Sequence, residues 1–140
     1  MILLDTNVVS EITRREPDRG VLAWLDSLEA TVVGTTAVTA AELLYGLHRL
    51  PEGQRKAELA AAIHGLLNED FERRVEPFDA AAAVHHATIV SDREKAGYPI
   101  SVADAQIAAI CRKLKSTLAT RNTRDFEGID IEVVDPWLMP

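Results

Sequence analysis

Four places in this chain put an acid or an amide where a strand end or a helix start would present it. Asp5 ends the apolar run Ile2-Leu3-Leu4 and opens Asp5-Thr6-Asn7. Glu42 and Asp104 each stand three residues after a hydroxyl, in Thr39-Ala40-Ala41-Glu42 and Ser101-Val102-Ala103-Asp104. Asn122 and Asp125 follow the short run Thr117-Leu118-Ala119-Thr120. Groups delivered to the carboxyl end of a strand lie where open α/β sheets bind ligands. Carboxylates that converge there would suffer desolvation and mutual repulsion. A hard divalent cation such as Mg2+ or Mn2+, which prefers oxygen ligands, resolves that conflict.

Glu42 and Asp104 also admit a purely structural reading. Thr-x-x-Glu and Ser-x-x-Asp are capping-box patterns, in which the acid bonds back to a backbone N–H. The helix dipole favours an acid there by about 0.3–1 kcal/mol. Against capping alone stand the neighbours: Leu43 and Leu44 beside Glu42, and Ala103 and Ala105 beside Asp104. Small or apolar flanks place an acid where backbones pack closely. Local sequence leaves both readings open.

The elements that must position these groups follow from periodicity. Ile2–Leu4 predicts a first strand, followed by a short helix over Val8–Thr13. Arg14–Asp18 reads as a loop, and Val21, Leu22, Trp24, Leu25 and Leu28 give a helix from Gly20 onward. Thr31–Thr35 suits a second strand. Helices are expected from Thr39 to about Leu50, with Leu43, Leu44 and Leu47 inward, and from Gln54 to Asn68. Arg74–Phe78 reads as a third strand, and Asp79 caps a helix over Ala80–Lys95. Ser101 opens another, carrying Ile107, Ile110, Cys111 and Leu114, before strands at Thr117–Thr120 and Ile131–Val134. Strands alternating with helices predict a parallel sheet between helical layers, an α/β fold of three layers with four to five strands.

The totals set bounds. At 140 residues the chain is expected to form one domain, 1–140. The single cysteine, Cys111, excludes an internal disulfide and fits a reducing, cytoplasmic setting. It lies in an apolar helical stretch and is expected in the core. No apolar run approaches the ~18 residues of a membrane span. The N-terminus lacks the pattern of a secretory leader. A net charge of −7 is not that of a protein that coats DNA. It does not exclude a nuclease, because a bound cation reverses the local field. His85 and His86 have no second ligand at metal spacing, and packing or exposure is expected of them. Neither a Gly-x-Ser-x-Gly elbow nor a Walker or dinucleotide glycine motif occurs.

Four blocks in order resemble the PIN-domain proteins of the VapC toxin family, nearest its FitB-like branch. They are Leu4–Val8, Thr39–Gly46, Ser101–Ala109 and Leu118–Phe126, supported by Val21-Leu22-Ala23-Trp24-Leu25 and Asp135-Pro136-Trp137. The resemblance spans essentially the whole chain. It implies the toxin of a type II toxin–antitoxin pair, an Mg2+-dependent endoribonuclease (Mn2+ as substitute) with catalytic Asp5, Glu42, Asp104 and Asn122. Asp5, Glu42 and Asp104 are the implied metal ligands. The family commonly has a fourth acid where this chain has Asn122; Asp125 is the alternative occupant of that position. Thr6, Asn7 and Thr120 match supporting polar positions. For RNA, Arg112, Lys113, Lys115, Arg121 and Arg124 supply a basic stretch, with Arg112, Arg121 and Arg124 the expected phosphate contacts. The implied partners are a VapB-type antitoxin whose tail covers the acids, and a second copy of this chain. DNA would be met only through the antitoxin. Leu43–Leu47 and the alanine-rich helix after Gln54 are candidate dimer surfaces.

Two other functions fit parts of the pattern. A phosphatase could use Asp5 as nucleophile, but its Asp-x-Asp pattern needs an acid where Asn7 stands. A non-catalytic PIN-like interaction module has no use for intact Asp5, Glu42 and Asp104.

Overall fold

A computed structural model describes residues 1–139. Five strands form one parallel sheet in the order β3-β2-β1-β4-β5. They are β1 (Ile2–Leu4), β2 (Val33–Thr36), β3 (Val75–Glu76), β4 (Thr117–Ala119) and β5 (Val133–Val134). The helices are α1 (Thr6–Ile12), α2 (Arg19–Asp26), α3 (Ala37–His48), α4 (Gln54–Gly65), α5 (Ala80–Lys95) and α6 (Val102–Leu114).

The first strand is the axis of the sheet. Ile2, Leu3 and Leu4 pair with Val33, Gly34 and Thr35 on one side and with Thr117, Leu118 and Ala119 on the other. Successive strand residues face opposite layers. Leu3 and Leu118 pack with Ala82, Ile89, Ile107, Ile110 and Cys111 of α5 and α6. Leu4 and Ala119 pack with Val8, Val21, Trp24, Leu43, Leu47 and Ile63 of α1 to α4. Burying each of these aliphatic side chains contributes about 1.5–3 kcal/mol. The expected three-layer α/β architecture is the one observed. Cys111 is fully buried, and desolvation pushes its thiol pKa up to about 12.

Several expected boundaries shift, each for a physical reason. Thr31 and Val32 lie in a 3-10 turn (Ala30–Val32), not in β2. The three-residue β1 offers β2 no ladder partner before Val33. Helix α1 starts at Thr6, two residues before Val8, because the Asp5 carboxylate accepts from the Thr6 N–H and caps it. Helix α3 starts at Ala37, capped by the Thr36 hydroxyl, which accepts from Thr39 N–H at 3.0 Å. The Thr39–Glu42 capping box is therefore not formed: Thr39 lies inside the first turn, fully buried. Ser101 does cap α6, accepting from Asp104 N–H at 3.1 Å. Helix α4 ends in a π-helical turn over Leu66–Asp70. Strands β3 and β5 are shorter than Arg74–Phe78 and Ile131–Val134.

Candidate active site

Each acid reaches the carboxyl end of the sheet by a different route. Asp5 follows β1 directly, with its N–H bonded to Ala119 O at 2.9 Å. Helix α3 leaves β2 at the same end and presents Glu42 from its second turn. Helix α6 begins there, with Asp104 in its first turn. Asn122 and Asp125 lie on the turn that follows β4, which includes the 3-10 segment Thr123–Phe126.

A hydrogen-bond network ties these routes together at Asp5, which is 5% exposed. Its Oδ1 accepts from Thr6 N–H at 2.8 Å. Its Oδ2 accepts from Thr120 Oγ1 at 2.8 Å and from Asn7 Nδ2 at 3.3 Å. Thr120 Oγ1 in turn accepts from Asn7 Nδ2 and from the Asn122 N–H, each at 3.1 Å. Asn7 Oδ1 accepts from the Arg121 N–H at 2.9 Å. Thr6 Oγ1 donates to Glu42 Oε1 at 3.0 Å and lies 3.5 Å from the buried Thr39 hydroxyl. Thr6, Asn7 and Thr120 thus link β1, α1, α3 and β4 around one carboxylate.

The electrostatics follow from burial and crowding. Desolvation raises the Asp5 pKa, opposed by the bonds from Thr120, Thr6 and Asn7, and Asp125 adds repulsion. Desolvation also raises the Asp104 pKa, against its Ser101 bond; Asp5, Asp125 and Glu42 push the same way. Among the described residues the ion pairs engage Glu11, Glu58, Glu52 and Asp79, and none involves Asp5, Glu42, Asp104 or Asp125. The donor set is therefore hard, anionic and without protein counter-charge, which fits a hard divalent cation. Among the described residues no three His, Cys, Asp or Glu side chains are already drawn into metal-holding range. The exposed Glu42 and half-buried Asp104 have room to rotate, whereas Asp5 is fixed.

The structure brings together Asp5, Glu42, Asp104 and the turn carrying Asn122 and Asp125. Asn122 joins through its backbone N–H, and Asp125 through the repulsion it exerts on Asp5 and Asp104. Arg121 stands at the mouth, its guanidinium 4.7 Å from the Trp137 ring. Arg124 is exposed on the same turn as Asp125. Arg112 is a correction. Helix α6 runs antiparallel to the strands, so a residue two turns after Asp104 lies about 12 Å further from the acids. Arg112 lines a cleft at the amino ends of β4 and β5 with Lys115, Ser116 and Glu132, and Lys113 pairs with Asp79. His86 packs edge-on against Phe78 at 5.5 Å.

Beside Glu42 a cleft of about 440 Å³ opens between α1, α3 and α4. Leu43, Leu47, Leu59 and Ile63 form its floor, and Arg14, Arg55 and Arg121 its rim. Thr39 and Arg55 were not singled out from sequence. Nothing local marks Arg55, while Thr39 was visible only as the wrong cap.

The PIN domain model matches residues 2–132. Toxin FitB of Neisseria gonorrhoeae is 41% identical over 137 residues, 98% of this chain and 99% of that one. VapC ribonuclease Y4jK of Sinorhizobium fredii is 37% identical over 137 residues, 98% of each chain. The solved structure of FitAB bound to an IR36 DNA fragment has a chain that superposes with a TM-score of 0.92 at 39% identity, covering 100% of this chain and 98% of that one. A parallel sheet with acids gathered at its carboxyl end, matched over this length, defines the class. The chain belongs to the PIN-domain family, in the FitB-like branch of its VapC toxins.

Proposed function

We propose that this chain, acting as one domain over residues 1–140, is the toxin of a type II toxin–antitoxin pair and hydrolyses RNA phosphodiester bonds as an Mg2+-dependent endoribonuclease. The observation that carries the reading is the convergence of Asp5, Glu42, Asp104 and Asp125 with no ion pair to any of them among the described residues. The names of the relatives, a toxin and a ribonuclease, support it.

Asp5, Glu42 and Asp104 are the residues that would hold the metal, with Asn122 or Asp125 in the fourth position. A bound Mg2+ supplies Lewis acidity toward the phosphodiester and orients it for displacement. The protein's own contribution is order. Thr6, Asn7 and Thr120 fix both oxygens of Asp5, so one ligand needs no rearrangement. One of the carboxylates, Asp104 or Asp5, would take the proton of the attacking water. Arg121 and Arg124 lie on either side of Asn122 and would meet substrate phosphates by charge-assisted bonds.

Partners follow from the same reading. An antitoxin segment with aliphatic anchors suits the floor of the cleft beside Glu42, and a basic residue on it would reach the acids. FitAB was solved as a DNA complex; for this chain, DNA contact is proposed only through its antitoxin. A homodimer is proposed through α3, where Tyr45 is 64% exposed; sedimentation as a monomer at micromolar concentration would contradict that.

The deciding experiment incubates the purified chain and its Asp5→Asn variant with RNA, in Mg2+ or in EDTA. Cleavage is expected only for the unsubstituted chain with Mg2+, with a loss of at least about a hundredfold in the variant. Cleavage that survives EDTA or Asp5→Asn overturns the reading.

A further inference from the structure

A buried cation stands behind the site. Arg93 is 7% exposed on the inward stripe of α5, and no ion pair among the described residues includes it. Its guanidinium donates instead to backbone carbonyls. Nε reaches Tyr98 O at 2.7 Å, Nη1 reaches Glu127 O at 3.1 Å and Nη2 reaches Asp125 O at 3.3 Å. Tyr98 completes the arrangement: its ring lies 4.2 Å from the guanidinium, and its hydroxyl donates to Arg124 O at 3.2 Å.

Burying a charge is costly unless hydrogen bonds compensate it. An aliphatic residue would fill the helix face without that cost, so the cation at 93 needs a reason beyond packing. The carbonyls supply one. They belong to two separate segments, the loop between α5 and α6 and the turn after β4. The far end of the same turn is fastened to the site itself, by Asn122 N–H on Thr120 and Arg121 N–H on Asn7. Between these ends Thr123, Arg124 and Asp125 are exposed, and the one buried side chain of the turn is Phe126, anchored in the core.

We infer that Arg93 and Tyr98 are positioning residues of the active site, clamping the turn from Asn122 to Glu127 so that its polar groups keep a fixed register with Asp5. The inference rests on the RNA-cleaving reading above and adds two residues to it, neither of which touches substrate. The planar fork of arginine spans carbonyls from both segments at once; lysine, a point charge, does not.

Two variants test it with the full chain. Tyr98→Phe keeps the ring beside the guanidinium and removes only the bond to Arg124. Arg93→Lys keeps the charge and removes the fork. Each is measured for kcat and KM on RNA, for Mn2+ affinity by calorimetry without RNA, for amide exchange at Asp125 and Glu127, and for Tm. A misplacement on the order of 1 Å costs about a hundredfold in rate, and lost support of ligands costs about 10–100-fold in metal affinity or activity. Expected are kcat losses of about tenfold for Tyr98→Phe and about a hundredfold for Arg93→Lys. Both should bind Mn2+ about tenfold more weakly and exchange faster at the turn. Wild-type kcat, Mn2+ affinity and exchange in a folded variant overturn the clamp, as does a lowered Tm with those three unchanged. If Arg93→Lys does not fold, Tyr98→Phe decides. If the unsubstituted chain cuts no RNA, the functional reading fails, while Mn2+ binding and exchange still judge the clamp.

Discussion

Asp5 is held by donors, not by a counter-ion, and the Thr120 hydroxyl is the busiest of them. It donates to Asp5 and accepts from Asn7 and Asn122. Thr120→Val keeps the shape and removes all three bonds. A buried group left without its partner costs about 1–3 kcal/mol, so the unfolding free energy from a denaturant titration should fall by that amount while far-UV circular dichroism stays unchanged. Asp104→Asn acts in the opposite direction on stability. It removes a charge that burial and its neighbours disfavour, so the metal-free variant should melt higher, by an amount that solvent screening of this half-exposed group keeps small. It should also lose RNA cleavage. Asp5 and Asp104 stood out as candidates by their places at a strand end and a helix start, although the local pattern at Asp104 fits a cap equally. Arg93 was not, because its partners at 98, 125 and 127 are brought to it only by the fold. The one signal was its register: it falls on the same stripe of α5 as the buried Ala82 and Ile89. Arg112 was misplaced because the basic cluster from 112 to 124 is divided by β4, which carries Arg121 and Arg124 to the end of the sheet opposite Arg112.

Elements explain why Glu42 reaches the site at all. Thr36, the last residue of β2, doubles as the cap of α3, so strand and helix meet with no intervening loop. The direction of β2 therefore fixes where Glu42 points. Within that strand Gly34 faces the backbone of Arg74, and a Cβ there would lie 2.3 Å from Arg74 O. Gly34→Ala should force β2 and β3 apart and cost about 3 kcal/mol, read from urea unfolding. Ser101→Ala removes the cap that receives Asp104 N–H and should cost about 1 kcal/mol. Helix α5 and its Asp79 cap were fully legible, since a long stretch bounded by a capping acid and Gly97-Tyr98-Pro99 leaves little choice. The edges of β2, β3 and β5 were not. Strand length is set by the partner across the ladder, and β1 offers only three residues.

At the scale of the whole molecule, two cores of apolar side chains press on the sheet from either side, and the acids sit at its open end. Their charge makes stability depend on pH. The Asp5 and Asp104 pKa values are raised above 3.8 in the folded chain. Their contribution is most favourable below the unfolded value and is lost as pH rises through the folded one. Surface acids Glu52, Glu58 and Asp79, lowered by Lys56, Arg15 and Lys113, act oppositely. The clean measurement is therefore a difference: the Tm advantage of Asp104→Asn over the unsubstituted chain should grow from about pH 4 to pH 7 in EDTA. Saturating Mg2+ should reduce it by stabilising only the chain with all its acids. The sheet order has a further consequence. Asp5 and Thr120, joined by a hydrogen bond, are 115 positions apart in the chain, and β1 pairs with β4 only after both have been made. During synthesis Asp5 emerges early without the hydroxyl that fixes it, and Asn7 lacks the Arg121 amide it will hold. The candidate site is thus incomplete until β4 has been made.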